Sequence, residues 1–353
     1  MSRDQGAVSS AGASMARMRA ETVLHGGDLD AARRQFPGAP EPWIDLSTGV
    51  NPQAYQVPEL AAEIWSRLPQ PSSARALREV AARRYGAATP QRIVAAAGTQ
   101  ALIQIIPRLV GPSRVAVLGP TYGEHAAAWR REGHQVIEIN DLASANSARV
   151  VVVVNPNNPT GRVVPADELR DLAATLDQRD GFLVVDEAFA DVMAPEISII
   201  SGLPRATLVL RSFGKTYGLA GLRLGFGIAH EEIALRLRDH LGPWAVSGPA
   251  IAVGVAALAD DCWLKRSREK LESGGLRLNA LLQAAGCAAI GGTPLFRLVS
   301  HPKAQDIADA LGRHGIHVRR FPEQRAWLRF GLPRSEQGWQ RLEHALRASK
   351  PPA

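Results

Sequence analysis

The chain has 353 residues, of which 46% are hydrophobic and 21% charged, as is usual for a soluble globular protein. Its net charge is +7, but the basic residues are scattered as single arginines and pairs, without the basic stripe of a nucleic-acid surface. Its two cysteines are too few for a disulfide framework and lie in no metal-binding spacing. We therefore expect a cytoplasmic protein that binds neither nucleic acid nor metal.

The N-terminal part of the chain carries weak structural signals. Residues 1–20 are small and polar without an apolar centre, which predicts a disordered leader and not a secretory signal. Residues 21–60 are rich in Gly, Pro and single aromatics, and we expect an irregular segment that contributes to the substrate site. No apolar run reaches the 18 residues of a membrane helix, so we expect no membrane contact.

From residue 61 to 245 the sequence alternates helical patterns with short runs of Val, Ile and Leu. Such runs, separated by helix-length segments, are typical of a parallel sheet covered by helices on both faces. We predict an α/β fold whose large domain holds a mostly parallel seven-stranded sheet. The predicted strands are 92–96, 114–118, 135–139, 149–154, 181–185, 207–210 and 224–228.

The last part of the chain, residues 246–353, has a different pattern. A helical stretch over 251–285 is followed by shorter strands and helices. This pattern predicts a second, smaller α+β domain.

Polar residues follow four of the predicted strands, at the edge where open α/β sheets bind their ligands. One of these segments contains Lys215 in a glycine-rich turn, and another begins with Asp186. A lysine at the end of a buried strand is costly unless it is paired or chemically used. A carboxylate after four apolar residues needs a cation, such as a protonated pyridine nitrogen. The alternatives are a lysine that reaches solvent and an aspartate that caps the next helix.

The segment at residues 98–100 offers a phosphate site. Gly98, Thr99 and Gln100 begin an apolar helix, whose free N–H groups attract anions. Ser212 and Arg223 are candidates for further donors to the same phosphate. A simple Gly-Thr helix cap is the alternative interpretation. Tyr122 follows another strand and either lies against a ring or packs in the core.

Together these segments resemble the fold-type I pyridoxal-phosphate (PLP) enzymes of the class I/II aminotransferase superfamily. The similarity runs from about residue 43 to the C-terminus and is carried by residues 155–161, 186–189 and 212–225. It implies that Lys215 holds PLP as a Schiff base, that Asp186 pairs with the ring nitrogen and that Tyr122 stacks on the ring. It further implies a homodimer, because the family builds its site at a subunit interface. The other implied cofactor contacts are Asn158 to the phenolic oxygen and Gly98, Thr99, Gln100, Ser212 and Arg223 to the phosphate.

Two positions depart from the family pattern. Phe189 stands where a tyrosine often donates a second bond to the phenolic oxygen. Leu68 stands where the histidinol-phosphate aminotransferases have a tyrosine that reaches the partner subunit's phosphate.

The N-terminal motifs narrow the resemblance. His25-Gly-Gly-Asp and the segment from Trp43 to Pro52 are similar to the threonine-phosphate decarboxylases of cobalamin synthesis. This similarity implies decarboxylation of L-threonine O-3-phosphate to (R)-1-amino-2-propanol O-2-phosphate. It places His25, Ser47, Asn51 and Arg319 near the substrate phosphate, and Arg329 falls where the superfamily binds a carboxylate. A plain loop role for His25 is the alternative.

Two other functions remain open. A phosphate-handling aminotransferase, such as one acting on histidinol phosphate, would use the same residues but would move a proton from Cα to the cofactor. A PLP-binding transcription regulator would need an N-terminal DNA-binding domain, and the first forty residues show no helix-turn-helix pattern.

Overall fold

The computed structural model describes residues 25–348, and the leader expected at residues 1–20 lies outside this range. Its strands form two sheets. The strands in chain order are β1 (Ile44–Leu46), β2 (Ile93–Ala96), β3 (Arg114–Leu118), β4 (Gln135–Ile139), β5 (Val150–Val154), β6 (Phe182–Asp186), β7 (Thr207–Ser212), β8 (Gly225–Ala229), β9 (Ala288–Thr293), β10 (Phe296–Ser300), β11 (Ile316–Arg320) and β12 (Trp327–Gly331).

The α-helices cover both sheets. None of those within the described range is both long and apolar enough to cross a membrane. In chain order they are α1 (Leu29–Gln35), α2 (Ala62–Ser66), α3 (Pro71–Tyr85), α4 (Thr99–Ile105), α5 (Glu124–Arg131), α6 (Ala166–Asp177), α7 (Phe213–Thr216), α8 (Glu231–Leu241), α9 (Gly248–Leu258), α10 (Asp261–Ala284), α11 (Ala304–Arg313) and α12 (Glu336–Ala348).

The larger sheet contains the seven strands β2 to β8, in the order β2-β8-β7-β6-β5-β3-β4. Only β8 runs against the rest, because it pairs antiparallel with both β7 and β2. The other pairings are parallel. The prediction of a mostly parallel seven-stranded sheet is therefore confirmed, with every strand within two residues of its predicted position.

Strand β5 shows why this sheet is buried on both faces. Its five residues are all valines and all buried. Val151 and Val153 belong to the apolar cluster on one face, whereas Val150 and Val152 belong to the cluster on the other. Side chains alternate between the faces of a strand, so an uninterrupted apolar run stabilises both layers, by about 1.5 to 3 kcal/mol for each fully buried valine.

The smaller sheet has the order β1-β11-β12-β10-β9. Strand β1 pairs parallel with β11, and the remaining pairs are antiparallel. The expectation of an irregular segment over residues 21–60 was therefore wrong in part, since that segment supplies helix α1 and strand β1. Three residues are too few to show the alternating pattern by which a strand is recognised.

The helical pattern over residues 251–285 is divided into α9 and α10. Asp260 ends the run, because its side chain accepts a hydrogen bond from the Trp263 amide and caps α10. The buried residues of α9 pack with the larger sheet's core, and those of α10 from Leu271 onward pack with the smaller sheet's core.

Candidate active site

A cavity of about 980 Å³ lies where the carboxyl ends of the larger sheet's strands face the smaller sheet. Almost all the site residues predicted from the sequence line it. From the larger sheet come Gly98, Thr99, Gln100, Tyr122, Asn158, Asp186, Ser212, Lys215 and Arg223, and from the smaller sheet and N-terminal segment come His25, Arg319 and Arg329.

Lys215 lies in the short helix α7, directly after strand β7. Burial, together with the positive charge of Arg329, lowers its pKa to about 8. No hydrogen bond reaches its amine from residues 25–348, and its Nζ lies 5.9 Å from the centre of the Phe189 ring. An amine in this environment is partly deprotonated near neutral pH and is therefore a competent nucleophile.

Asp186 ends strand β6 and is almost fully buried. Its Oδ1 accepts a hydrogen bond from the Ala188 amide at 3.0 Å, and its Oδ2 lies 2.9 Å from Nε2 of the buried His125. His125 was not predicted from the sequence. Its ring lies edge-on to that of Tyr122, with centres 6.2 Å apart, but nothing in the sequence pairs His125 with Asp186.

The N-terminus of α4, the Arg223 guanidinium and the β8 backbone together form a cradle at one end of the cavity. A Cβ on Gly98 would lie only 2.7 Å from Nη2 of Arg223, and a Cβ on Gly225 only 2.4 Å from the Thr99 nitrogen. Glycine at both positions thus lets the guanidinium and the β8 backbone approach the helix start. Arg223 itself adopts a left-handed backbone conformation, with φ of 56°. A fork of N–H donors beside a helix N-terminus suits a phosphate group.

Tyr122 belongs to a hydrogen-bonded chain at the rim of the cavity. Its hydroxyl donates to Oε1 of Gln100 at 3.2 Å, and Nε2 of Gln100 donates to Glu124 at 2.7 Å. The other oxygen of Glu124 lies 3.0 Å from Nε2 of His25. Burial and the nearby carboxylates raise the pKa of Tyr122, so its hydroxyl is protonated. Glu124 was not predicted from the sequence.

Two arginines from the smaller sheet face the cavity side by side. The register of β11 and β12 pairs Arg319 with Arg329. Arg329 donates to Oδ1 of Asn158 and, at 2.7 Å, to the Ser47 carbonyl, while its buried Nε has no partner among residues 25–348. Burial and the charge of Arg319 lower the pKa of Arg329 to about 10. Two guanidinium groups this close, one with an unused buried donor, favour an anionic ligand.

Ser47 and Asn51 differ from the expectation that they contact substrate, since neither lines the cavity. The Ser47 hydroxyl donates to Asp45 and accepts from the Gly27 amide. The Asn51 side chain donates to the Thr216 carbonyl and to Ser267, and accepts from the Gln53 amide. Because the hydrogen bonds of both side chains are already made inside the protein, these residues support the loops around the site.

The two departures from the family pattern lie in different places. Phe189 lines the cavity and packs edge-on against Phe296, with ring centres 5.1 Å apart. Leu68 does not line it, and its side chain is exposed.

A buried ion network joins the strand ends that carry Asp186 and Lys215. Arg211, at the end of β7, contacts Glu187 at 2.9 Å and also pairs with Asp191. Burial raises the pKa of Glu187. Removing one member would leave a buried charge without its partner, which is strongly destabilising. The network therefore fixes the position of β6 relative to β7.

The family model for aminotransferase class I and II matches residues 41–346. The chain belongs to this family. It is 43% identical over 333 residues to a threonine-phosphate decarboxylase from Pseudomonas aeruginosa, covering 93% of this chain and 98% of that protein. It is 29% identical over 358 residues to histidinol-phosphate aminotransferase 3 from Mesorhizobium japonicum, covering 92% and 95%.

The fold also matches that of a solved structure. The crystal structure of histidinol-phosphate aminotransferase from Sinorhizobium meliloti in complex with pyridoxal-5'-phosphate superposes with a TM-score of 0.81 at 23% identity, covering 94% of this chain and 97% of that one. The predicted family and its fold are therefore confirmed.

The residues of the cavity fit PLP, the cofactor that this family implies. The cradle of Gly98, Thr99 and Arg223 suits its phosphate, and a Cβ at Gly98 would fill the space that the guanidinium occupies. The Lys215 amine, which makes no hydrogen bond with residues 25–348, suits a carbonyl carbon. The buried Asp186 carboxylate forms no ion pair with a lysine or arginine within residues 25–348, and it suits a protonated ring nitrogen.

Proposed function

We propose that this protein is a PLP-dependent decarboxylase of L-threonine O-3-phosphate, acting in cobalamin synthesis. In this reaction the bond between Cα and the carboxylate breaks, CO2 leaves, and a proton is added to Cα, giving (R)-1-amino-2-propanol O-2-phosphate. The observation that carries the proposal is the placement of Arg319, Arg329 and His25 around a cavity that also contains Lys215 and Asp186. The higher identity to a threonine-phosphate decarboxylase than to a histidinol-phosphate aminotransferase supports it.

The cofactor would be held by residues of the larger sheet. Lys215 would bind its carbonyl carbon, Asp186 its ring nitrogen and Asn158 its phenolic oxygen, with Tyr122 against the ring. The phosphate would lie among Gly98, Thr99, Gln100, Ser212 and Arg223. When bound, PLP supplies an electron sink for the electron pair left at a substrate Cα.

The smaller sheet would hold the substrate. The substrate is an anion with a carboxylate and a phosphate, and the side chains of Arg319 and Arg329 both line the cavity. A guanidinium group binds a carboxylate or phosphate through charge-assisted hydrogen bonds. Fixing both ends of a short substrate sets the orientation of its Cα–carboxylate bond, and that orientation decides which bond at Cα breaks.

Lys215 would also supply the proton that is added to Cα. A pKa of about 8 allows its amine to carry a proton at neutral pH and to release it to Cα, which is the behaviour of an efficient general acid.

The experiment is an assay of CO2 release from L-threonine O-3-phosphate by the purified protein, with and without added PLP and without any keto acid. Release that depends on PLP supports the proposal. Rapid transamination of histidinol phosphate with no CO2 release from threonine phosphate would show instead that the protein is an aminotransferase, the alternative that its aminotransferase relatives favour.

We further propose that two copies associate. Large apolar side chains are exposed at Trp65, Leu68 and Trp244, beside a groove of about 380 Å³ that Pro69, Pro71 and Trp244 line. Exposed apolar side chains near an apolar groove are typical of an interaction site. Light scattering after size-exclusion chromatography measures the mass, and Trp65→Glu should shift a dimer toward monomer.

A cytoplasmic location is part of the same proposal. Both cysteines are free thiols, and Cys262 is exposed, as is usual in a reducing compartment. Cell fractionation tests it.

A further inference from the structure

Glu124, the first residue of α5, joins one side chain of the N-terminal segment to two side chains of helix α4. Its Oε1 lies 3.0 Å from Nε2 of His25, and its Oε2 accepts hydrogen bonds from Gln100 at 2.7 Å and from Gln104 at 3.2 Å. Its side chain is only 12% exposed. A carboxylate with this many donors and little access to water has a fixed position.

Residues 25–28, which we call the N-terminal strap, are fixed from the opposite side as well. The Gly27 amide donates to the Ser47 hydroxyl at 2.7 Å. A Cβ on Gly26 would lie 2.4 Å from the Ser47 carbonyl oxygen, and Gly27 has a φ of +91°. The two glycines therefore let the strap lie flat against the chain after β1, and from there the His25 side chain reaches Glu124.

His25 thereby lies at the cavity wall. Its ring centre is 5.9 Å from that of Tyr122, and both side chains line the cavity together with Arg319. The Nε2 atom of His25 contacts Glu124, whereas Nδ1 has no hydrogen-bond partner among residues 25–348.

We propose that Glu124 is a positioning residue that closes the N-terminal strap over the cavity and directs His25 toward the phosphate group of the substrate. This inference rests on the proposed function, because it takes a phosphate monoester as the ligand of His25. A protonated imidazole donates from both ring nitrogens. Nε2 then binds Glu124, and Nδ1 binds a phosphate oxygen in a charge-assisted hydrogen bond.

Glu124 also accepts a hydrogen bond from Gln100, and Gln100 accepts one from Tyr122. Removing the carboxylate therefore affects His25 and, separately, the Gln100–Tyr122 pair. A double-mutant cycle separates them. If Glu124 acts through His25, its removal matters only while His25 is present. If it acts through Gln100, the two substitutions affect the site independently.

The experiment measures kcat and KM for L-threonine O-3-phosphate with the PLP-loaded wild type, Glu124→Ala, His25→Ala and the double variant. We expect each single substitution to raise KM by about tenfold with much smaller changes in kcat. The double variant should be no worse than His25→Ala alone. Effects that multiply in the double variant, or an unchanged KM in Glu124→Ala, would overturn the proposal.

Hydrogen exchange gives a readout that does not depend on activity. In Glu124→Ala the backbone amides of residues 25–31 should exchange faster than in the wild type, while those of residues 213–217 should be unchanged. Inorganic phosphate should slow exchange of residues 25–31 in the wild type and not in His25→Ala. The matched control is Glu132→Ala, which removes another ion-paired glutamate near the end of α5, at 3.0 Å from Arg108, and should change neither KM nor the exchange of the strap.

The two proposals fail separately. A wild-type protein that releases no CO2 refutes the proposed function and leaves the strap to be judged by the exchange data. Unchanged exchange of residues 25–31 in Glu124→Ala refutes the strap even if the protein is an active decarboxylase.

Discussion

Nη2 of Arg223 lies where a side chain on Gly98 would have to stand, 2.7 Å from the position of a Cβ. Gly98 also has a φ of +84°, which an L-residue with a side chain rarely adopts. Gly98→Ala should therefore displace the guanidinium and weaken PLP binding by at least about tenfold, the loss of one charge-assisted hydrogen bond. A titration followed by absorbance measures this. Gly86→Ala is the control, because Gly86 has a φ of +74° but no atom near its Cβ position, so its PLP affinity should match the wild type.

Lys215→Met should abolish decarboxylation and, in the cofactor-free protein, change stability with a defined pH dependence. The folded-state pKa of about 8 lies below the ordinary value of 10.5. The unfolded chain therefore binds the proton at a higher pH than the folded chain does, and stability falls as the pH decreases from about 10.5 to about 8. The variant lacks this loss, so below pH 8 it should be more stable by up to roughly 3 kcal/mol. Urea unfolding of both proteins at pH 7 and pH 10.5 measures the difference, and a constant difference at both pH values contradicts the prediction.

His125→Ala should weaken PLP binding several-fold, because it removes the group at 2.9 Å from Oδ2 of Asp186 and leaves that buried oxygen without a partner. It should also lower the free energy of unfolding by about 1 to 3 kcal/mol. The control is His134→Ala, which removes another buried histidine that contacts the Pro107 carbonyl and the Ser113 amide. This variant should lose stability without losing PLP affinity. Equal PLP affinities in the two variants count against a role for His125 at the site.

Arg329→Ala should raise KM for L-threonine O-3-phosphate by at least about 30-fold, since removing a buried partner of an anion costs about 2 kcal/mol or more. Arg329→Lys keeps the charge but loses the fork, so it should fall between the alanine variant and the wild type. Arg320→Ala is the control, because Arg320 pairs with Asp309 and does not line the cavity. Steady-state kinetics checks all three variants, and an effect of Arg320→Ala equal to that of Arg329→Ala would exclude a specific role for Arg329.

The sequence predicted the larger sheet well because its strands are apolar on both faces. The five valines of β5 and the apolar run before Asp186 need no long-range information to be recognised. The polar residues at their ends were predicted for a related reason, since a charged or amide side chain directly after such a run is conspicuous.

Glu124, His125 and the true place of Asn51 could not be predicted in this way. Their partners are 99, 61 and 165 residues away in the chain, at His25, Asp186 and Thr216. A single sequence holds no signal for which polar group meets which across such distances. The same limit explains β1, whose pairing with β11 depends on a strand near the other end of the chain.

That pairing has a consequence for synthesis of the protein. Strand β1 leaves the ribosome early, whereas its partner residues in β11 follow roughly 270 residues later, and contacts this distant in sequence form late in folding. The half of the cavity that carries Arg319 and Arg329 is thus completed only when nearly the whole chain is available. A chain that ends before β11 contains all seven strands of the larger sheet, Lys215 and Asp186, but it lacks the arginines that would select the substrate.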